Sequence, residues 1–139
     1  MTKAWRYMLD TNIASEIIRH PDGPVAQRMF EMNSLCCLSA LVASELRYGA
    51  QKRAFLKLTN LVEALIQRLA VAPYENVSTP HYASIRSDLT VKGALIGPVD
   101  LFIAAHARSL DLMLVTNNAR EFSRVDGLKV ENWLEEDAP

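Results

Sequence analysis

The sequence is poor in cysteine, and this shortage bears on both compartment and metal chemistry. Only two of its 139 residues are cysteines, Cys36 and Cys37. As chain neighbours they would point to opposite faces of a strand, and they lack the spacing of zinc ligands. We therefore expect both to be buried apolar residues of a protein in the reducing cytoplasm.

An excess of charge of one sign and long hydrophobic runs are also missing. Lysine and arginine number 15 and aspartate and glutamate 16, so no overall field attracts the protein to nucleic acid or to an anionic membrane. A polyanionic ligand would need a local basic patch. No apolar run reaches the length of a signal peptide or a transmembrane helix, so we expect a soluble, intracellular protein without membrane contact.

No repeat, linker or low-complexity tract divides the chain. With 50% of its residues hydrophobic, a chain of this length can bury one core but not two. We therefore expect a single domain over residues 1–139, with the acidic end, 134–139, frayed.

Short apolar runs alternate with segments of helical periodicity. The pattern predicts five strands, over residues 7–9, 35–38, 71–72, 112–115 and 128–130. Helices are expected between them, including a long amphipathic helix over residues 51–69. Strands separated by helices indicate an α/β fold with a mainly parallel central sheet flanked by helices.

Asp100 is an unusual residue in an otherwise apolar helix. Gly97 and Pro98 are typical of a helix start, and residues 101–107 leave almost no polar face, so the helix must be covered on most sides. His106 is expected on its surface. An unpaired carboxylate near a core costs several kcal/mol, roughly the penalty for a buried ion. Either the helix dipole stabilises the negative charge of Asp100, by about 0.3–1 kcal/mol, or a metal ion shared with other acids stabilises it.

Two polar residues follow predicted strands directly. Asp10 comes after residues 7–9 and Asn118 shortly after residues 112–115. In parallel sheets the ligand site lies at the carboxyl ends of the strands. Each residue is also a typical helix N-cap, and this interpretation remains open for both.

Glu45 adds an acid from a separate helix. Its neighbours three and four residues away include Leu41 and Tyr48, which places Glu45 on an apolar face. Together with Asp10 and Asp100 it would put three acids in one small core, where they would repel one another unless a divalent cation lay among them. Carboxylate ligands with open water positions suit Mg²⁺, for which Mn²⁺ is an expected substitute.

Six segments, in this order and at this spacing, carry a resemblance to a known family. They are MLDTN (8–12), SELRYGA (44–50), IGPVDLFIAAHA (96–107), LVTNN (114–118), REF (120–122) and ENW (131–133). The sequence resembles the PIN-domain ribonucleases, specifically the VapC toxins of bacterial toxin–antitoxin pairs. Its greatest similarity is to the group that cuts initiator tRNA in the anticodon stem-loop.

The resemblance implies an α/β PIN fold, Mg²⁺ dependence, a cognate VapB-type antitoxin and a homodimer. It places metal-binding acids at Asp10 and Asp100, with Glu45 completing the acidic cluster. Many PIN domains carry a further acid near Thr116, where this chain has asparagines. Either Asn118 ligates through its carbonyl oxygen or holds a metal-bound water, or Glu121 reaches in from the next turn; one or two metal ions remain possible.

The residues then predict metal-assisted hydrolysis of RNA phosphodiester bonds, with tRNA as the expected substrate. Glu45 either completes the metal shell or accepts the proton of the attacking water. Thr11 and Thr116 are candidates for positioning that water or a phosphate oxygen. Four cations that follow Glu45 form either a phosphate-binding patch or a solvated helix face: Arg47, Lys52, Arg53 and Lys57.

Three other classes compete with this interpretation. A phosphatase of the haloacid dehalogenase type needs an acid where Asn12 stands, and a receiver domain needs paired acids near the first strand. Both are disfavoured. A PIN domain that has lost catalysis and only binds RNA or protein remains the main alternative, because the fourth acid is missing.

Overall fold

The computed structural model describes residues 4–136 as alternating strands and helices. The strands are β1 (Tyr7–Leu9), β2 (Cys36–Ser39), β3 (Ala70–Ala72), β4 (Met113–Val115) and β5 (Lys129–Glu131). The helices are α1 (Thr11–Arg19), α2 (Pro24–Glu31), α3 (Ala40–Arg53), α4 (Leu56–Arg68), α5 (Thr79–Val91), α6 (Pro98–Ser109), α7 (Ala119–Phe122) and α8 (Trp133–Glu136). The five predicted strands are confirmed.

All five strands are parallel and form one sheet in the order β3-β2-β1-β4-β5. The chain therefore winds from β1 towards one edge through β2 and β3, and then crosses back to place β4 on the other side of β1. The strand order reverses between β1 and β4, and ligands of open parallel sheets bind at such a reversal, beyond the carboxyl ends of the strands. Leu9 and Val115 are paired there at the strand ends.

The sheet is covered on both faces, as its apolar strands require. Met8, Leu9 and Leu38 are fully buried, and so are both cysteines. Burial raises the pKa of the Cys36 and Cys37 thiols to about 12, so both stay protonated at neutral pH. This confirms the prediction that the cysteines are buried.

The prediction of one helix over residues 51–69 is wrong. Helix α3 ends at Arg53, Ala54 adopts a left-handed conformation with φ of 52°, and α4 begins at Leu56. The two helices then pack on each other, which buries Val62 and Leu65 of α4. No glycine or proline marks the break, and the apolar periodicity continues through it, so the sequence pattern gave no sign of the turn.

His106 is also placed differently from the prediction, because it is fully buried within α6 and not on its surface. Its Nε2 lies 3.0 Å from the carbonyl oxygen of Pro73, which can only accept, so this nitrogen carries the hydrogen. The other nitrogen, Nδ1, then accepts a hydrogen bond from the hydroxyl of Ser39 at 2.8 Å. Ser39 also caps α3 by accepting from the amide of Leu41, so His106 ties α6 to the start of α3.

The remaining predictions about the chain ends and membranes have simple outcomes. Of the segment 134–139, expected to be frayed, residues 134–136 continue α8 and residues 137–139 lie outside the described part. No helix within residues 4–136 is both long and apolar enough to cross a membrane.

Candidate active site

Asp10 is fixed where β1 ends and α1 begins. Its amide donates to the carbonyl of Val115 at 2.8 Å, which continues the pairing of β1 with β4 by one residue. The residue is only 4% exposed. One oxygen accepts from the Thr11 amide and the other from the Thr116 hydroxyl, each at 2.8 Å. Asp10 is therefore the N-cap of α1, and its second oxygen is held by the neighbouring strand end.

Asp100 approaches the same strand ends from the first turn of α6 and is partly buried. A Cβ atom at Gly97 would lie 3.2 Å from an Asp100 carboxylate oxygen, so the glycine leaves room for the acid. The Gly97 amide donates to Glu121 at 3.1 Å. The Asn118 side-chain amide also donates to the Glu121 carboxylate. Glu121 is thus held beside Asp100, and Asn118 lies next to it.

Glu45 reaches this region from α3, but the predicted reason for its orientation is wrong. The buried face of α3 consists of Val42, Ala43, Leu46 and Ala50, whereas Glu45 is exposed and Tyr48 is 66% exposed. Glu45 instead lies on the wall of an open cleft. Its carboxylate accepts a 2.5 Å hydrogen bond from the Thr11 hydroxyl, which joins α3 to α1.

The pKa of Asp10 reflects opposing influences. Burial raises it most, and the charges of Glu45 and Glu121 raise it further. The hydrogen bonds from Thr116 and Thr11 lower it, but the balance leaves the pKa of Asp10 above its ordinary value.

The influences on the pKa of Asp100 all act in one direction, in contrast to those on the pKa of Asp10. Burial, then the charges of Asp10, Glu121 and Glu45, raise its pKa to about 6. A side-chain hydrogen bond with Glu121 adds to the effect. A carboxyl group that is hard to ionise for this reason is stabilised as an anion by a nearby positive charge.

The donor set fits a hard divalent cation. Within residues 4–136, no three aspartate, glutamate, histidine or cysteine side chains converge on one point as a finished cage. Mg²⁺ does not need such a cage, because it keeps several waters and is commonly bound through one or two carboxylates plus substrate phosphate oxygens. Asp10 and Asp100, whose charges oppose each other, supply that kind of incomplete set.

The four predicted site residues line one cleft. This acid cleft has a volume of about 390 Å³ and is lined by Asp10, Thr11, Asn12, Ser15, Arg19, Glu45, Asp100 and Asn118. The structure thus brings together Asp10, Glu45, Asp100 and Asn118, with Glu121 in contact behind Asn118. Their catalytic and metal-binding roles remain predictions.

Two features of the cleft were not foreseen from the sequence. Thr11 and Thr116 bind carboxylates, whereas the sequence suggested a water or a phosphate as their partner. Arg19 lies in the cleft wall, although nothing in its local sequence distinguishes it from a surface residue. Its position, eight residues after Thr11 at the far end of α1, was the only available signal.

The predicted basic patch is only partly available. Arg47 forms two hydrogen bonds with Glu63 of α4, at 2.8 and 2.9 Å, so its charge is already paired between α3 and α4. Lys52, Arg53 and Lys57 are exposed. Arg53 alone of these four shares a cavity wall with Glu45.

Comparison with known proteins gives a consistent result for fold and family. Residues 7–128 match the PIN domain. Ribonuclease VapC2 of Haemophilus influenzae is 38% identical over 130 residues, which cover 93% of this chain and 98% of that protein. The tRNA(fMet)-specific endonuclease VapC of Shigella flexneri is 39% identical, with coverage of 92% and 98%.

A solved structure agrees in three dimensions. The crystal structure of DNA-bound VapBC from Salmonella typhimurium contains a chain that superposes with a TM-score of 0.88 at 38% identity, covering 93% of this chain and 98% of that one. On these grounds the chain belongs to the PIN-domain family and, within it, to the VapC ribonucleases.

Proposed function

We propose that this protein is a Mg²⁺-dependent endoribonuclease toxin that cuts tRNA, with initiator tRNA as the expected target. The observation that carries the proposal is the pair Asp10 and Asp100 at the reversal of strand order, where the charge of one raises the pKa of the other. The endonuclease activity is supported by membership of the VapC ribonucleases. The choice of tRNA is supported by the similarity to the tRNA(fMet)-specific endonuclease of Shigella flexneri.

In this proposal, different residues of the cleft bind the cation, orient its ligand and accept a proton during phosphodiester hydrolysis. Asp10 and Asp100 would hold the cation, which supplies Lewis acidity for activating water and neutralising phosphate charge. The Thr116 hydroxyl fixes the orientation of the Asp10 carboxylate. Glu45 is exposed in the cleft wall and is oriented by Thr11, so it is placed to accept the proton of the attacking water.

Asn118 and Glu121 together occupy the place of the missing fourth acid. Glu121 is the charged member of the pair and acts electrostatically on both aspartates. Asn118 donates its side-chain amide to Glu121, which leaves its carbonyl oxygen available to the cleft. In this proposal Glu121 balances the cation charge and Asn118 contacts the substrate or a water.

A VapB-type antitoxin is the proposed partner. Several similar solved structures are VapBC complexes, from Salmonella typhimurium, Rickettsia felis and Haemophilus influenzae, and this supports a partner of that kind. We also infer a homodimer, as the sequence resemblance implies. A tRNA substrate would place the activity in the cytoplasm, and a small reading frame directly upstream would be the first candidate for the antitoxin.

The decisive experiment is cleavage of purified initiator tRNA and an elongator tRNA by antitoxin-free protein. We expect cleavage of the initiator tRNA with Mg²⁺ or Mn²⁺, none with EDTA, and none by the Asp10→Asn or Asp100→Asn variants. The matched control is Asp22→Asn, an exposed aspartate outside the cleft, which should cleave like wild type.

Three outcomes would contradict parts of the proposal. Full cleavage by Asp100→Asn at equal protein concentration would remove Asp100 from the metal site. Equal cleavage of both tRNAs would remove the initiator preference. Binding of tRNA without cleavage, at any Mg²⁺ concentration, would favour the alternative of an inactive PIN domain that acts as an RNA-binding module.

A further inference from the structure

A second cavity continues from the acid cleft along α1 and α3. It has a volume of about 320 Å³, and it shares Thr11, Ser15, Arg19 and Glu45 with the acid cleft. We call the part beyond Glu45 the arginine groove. Its other lining residues are Ile18, Leu46, Gly49, Ala50, Arg53, Leu58 and Val62. A polymer whose reacting bond lies among the acids can therefore extend into this groove without leaving the protein surface.

Two arginines line the groove and have little else to bind. Arg53 makes no hydrogen bond or ion pair with any residue in the described part of the chain. Arg19 has one exposed contact, to Glu16 at 3.4 Å, and exposed ion pairs of this kind are weak. Guanidinium groups bind phosphate oxygens in a bidentate manner, so both side chains are suited to a polyanionic ligand.

Each arginine lies about two helical turns from a residue that lines both cavities, and Arg19 itself also lines the acid cleft. Arg53 follows Glu45 by eight residues on α3, and Arg19 follows Thr11 by eight residues on α1. At about 1.5 Å per residue this is about 12 Å along each helix. Arg53 is therefore placed for a phosphate of a neighbouring nucleotide and not for the phosphate that is cut.

The floor between the arginines is apolar and open. Gly49 and Ala50 of α3 face Leu58 and Val62 of α4. A Cβ atom at Gly49 would meet no atom within 4 Å, so the groove has free space above this residue. An open apolar floor beside cations accommodates the face of a base or ribose while the phosphates contact the walls.

We propose that the arginine groove binds the single-stranded RNA that flanks the scissile bond, with Arg19 and Arg53 contacting its phosphates. This inference rests on the proposed function, because it needs an RNA whose reacting phosphate lies in the acid cleft. Charge complementarity and continuity with that cleft favour RNA over a protein partner as the occupant.

The test is binding of a fluorescently labelled single-stranded RNA, and of bulk tRNA, to protein in the Asp100→Asn background, which keeps the RNA intact. Arg19→Gln and Arg53→Gln should each weaken binding roughly five- to tenfold, at a level typical of one lost hydrogen bond. Each should also reduce the slope of log affinity against log salt by about 0.7, the value for one single-strand phosphate contact. Lys52→Gln is the matched control, because Lys52 is an exposed neighbour of Arg53 that does not line the groove.

A second variant tests the groove by shape instead of charge. Gly49→Leu has room for its Cβ and increases helix propensity, so the folded protein should melt no lower than wild type. The leucine side chain would project into the groove and should lower RNA affinity at least tenfold. Lys52→Gln should lower RNA affinity by much less.

The outcomes separate this inference from the proposed function. If wild-type protein cleaves tRNA and the arginine and Gly49 variants bind and cleave RNA as well as wild type does, the groove proposal alone would be overturned. An equal loss in Lys52→Gln would also overturn it, since the effect would then be one of general charge. Absence of Mg²⁺-dependent cleavage by wild type would overturn both proposals.

Discussion

Replacement of Asp100 by asparagine should stabilise the metal-free protein while it abolishes cleavage. Burial and neighbouring carboxylates raise the pKa of Asp100 from 3.8 to about 6. At pH 7 the group is therefore ionised in a place that disfavours its charge. Asparagine has nearly the same shape and removes that charge, so the free energy of unfolding should rise.

The size of the effect follows from three contributions. The rise in the pKa of Asp100 corresponds to about 3 kcal/mol, at about 1.4 kcal/mol per unit. Because Asp100 is only partly buried, solvent screening reduces this figure to about 1–2 kcal/mol. Its place in the first turn of α6 favours the charge by about 0.3–1 kcal/mol through the helix dipole. A net gain of about 1 kcal/mol should raise the unfolding midpoint by about 3 °C.

Thermal unfolding of EDTA-treated protein across a pH series measures this effect. Because the pKa of Asp100 is raised in the folded state, the contribution of Asp100 to the stability of the wild type falls as pH rises from about 4 to about 6. The advantage of Asp100→Asn should be complete above this range and vanish below it. Asp22→Asn is the charge-matched control. An Asp100→Asn protein that melts at or below the wild-type temperature at pH 7 would refute the repulsion argument.

Three further predictions concern other parts of the molecule. Asn118→Asp should tighten Mn²⁺ binding in the absence of RNA and lower the Mg²⁺ concentration needed for half-maximal cleavage. If calorimetry finds two tight Mn²⁺ sites in RNA-free wild type, and Glu121→Gln reduces them to one, this prediction is contradicted. His106→Ala leaves the hydroxyl of Ser39 and the carbonyl of Pro73 without their partner, so it should lower the free energy of unfolding in urea by about 2–4 kcal/mol. A decrease below about 1 kcal/mol would disprove the structural role of His106. Light scattering should show that the antitoxin-free protein is a dimer. Leu61→Lys, on the partly exposed apolar side of α4, should weaken dimer assembly or antitoxin binding. A monomeric wild type, together with unchanged antitoxin affinity of Leu61→Lys, would exclude α4 as an interface.

The sheet and the meeting of the acids could be predicted because parallel pairing aligns strand ends. Once residues 7–9 and 112–115 are identified as buried strands, the residues that follow them must lie at one edge of the sheet. This argument places Asp10 beside the Thr116 segment without any knowledge of the loops. The helix that carries Asp100 could be predicted equally well, since its apolar residues must be buried on nearly every side.

The parts that sequence reasoning missed depend on tertiary neighbours. Periodicity shows which residues share a face, but it does not show what covers that face. His106 is buried because Pro73 and Ser39 supply its hydrogen-bond partners, and both are distant in sequence. Glu45 faces the cleft because Thr11 binds it, although its own helix presents a different face to the core. The turn at Ala54 is set by the packing of α4 on α3.

The two central aspartates differ in how the fold treats their charge. Asp10 receives hydrogen bonds from the Thr11 amide and the Thr116 hydroxyl, and these donors lower its pKa against the effect of burial. Every influence that the described residues exert on Asp100 raises its pKa. The donors around Asp10 thus offset part of the effect of burial on its pKa, whereas no influence from the described residues lowers the pKa of Asp100. A cation between them would lower the raised pKa of Asp100, so cation binding and the ionisation of Asp100 are thermodynamically linked.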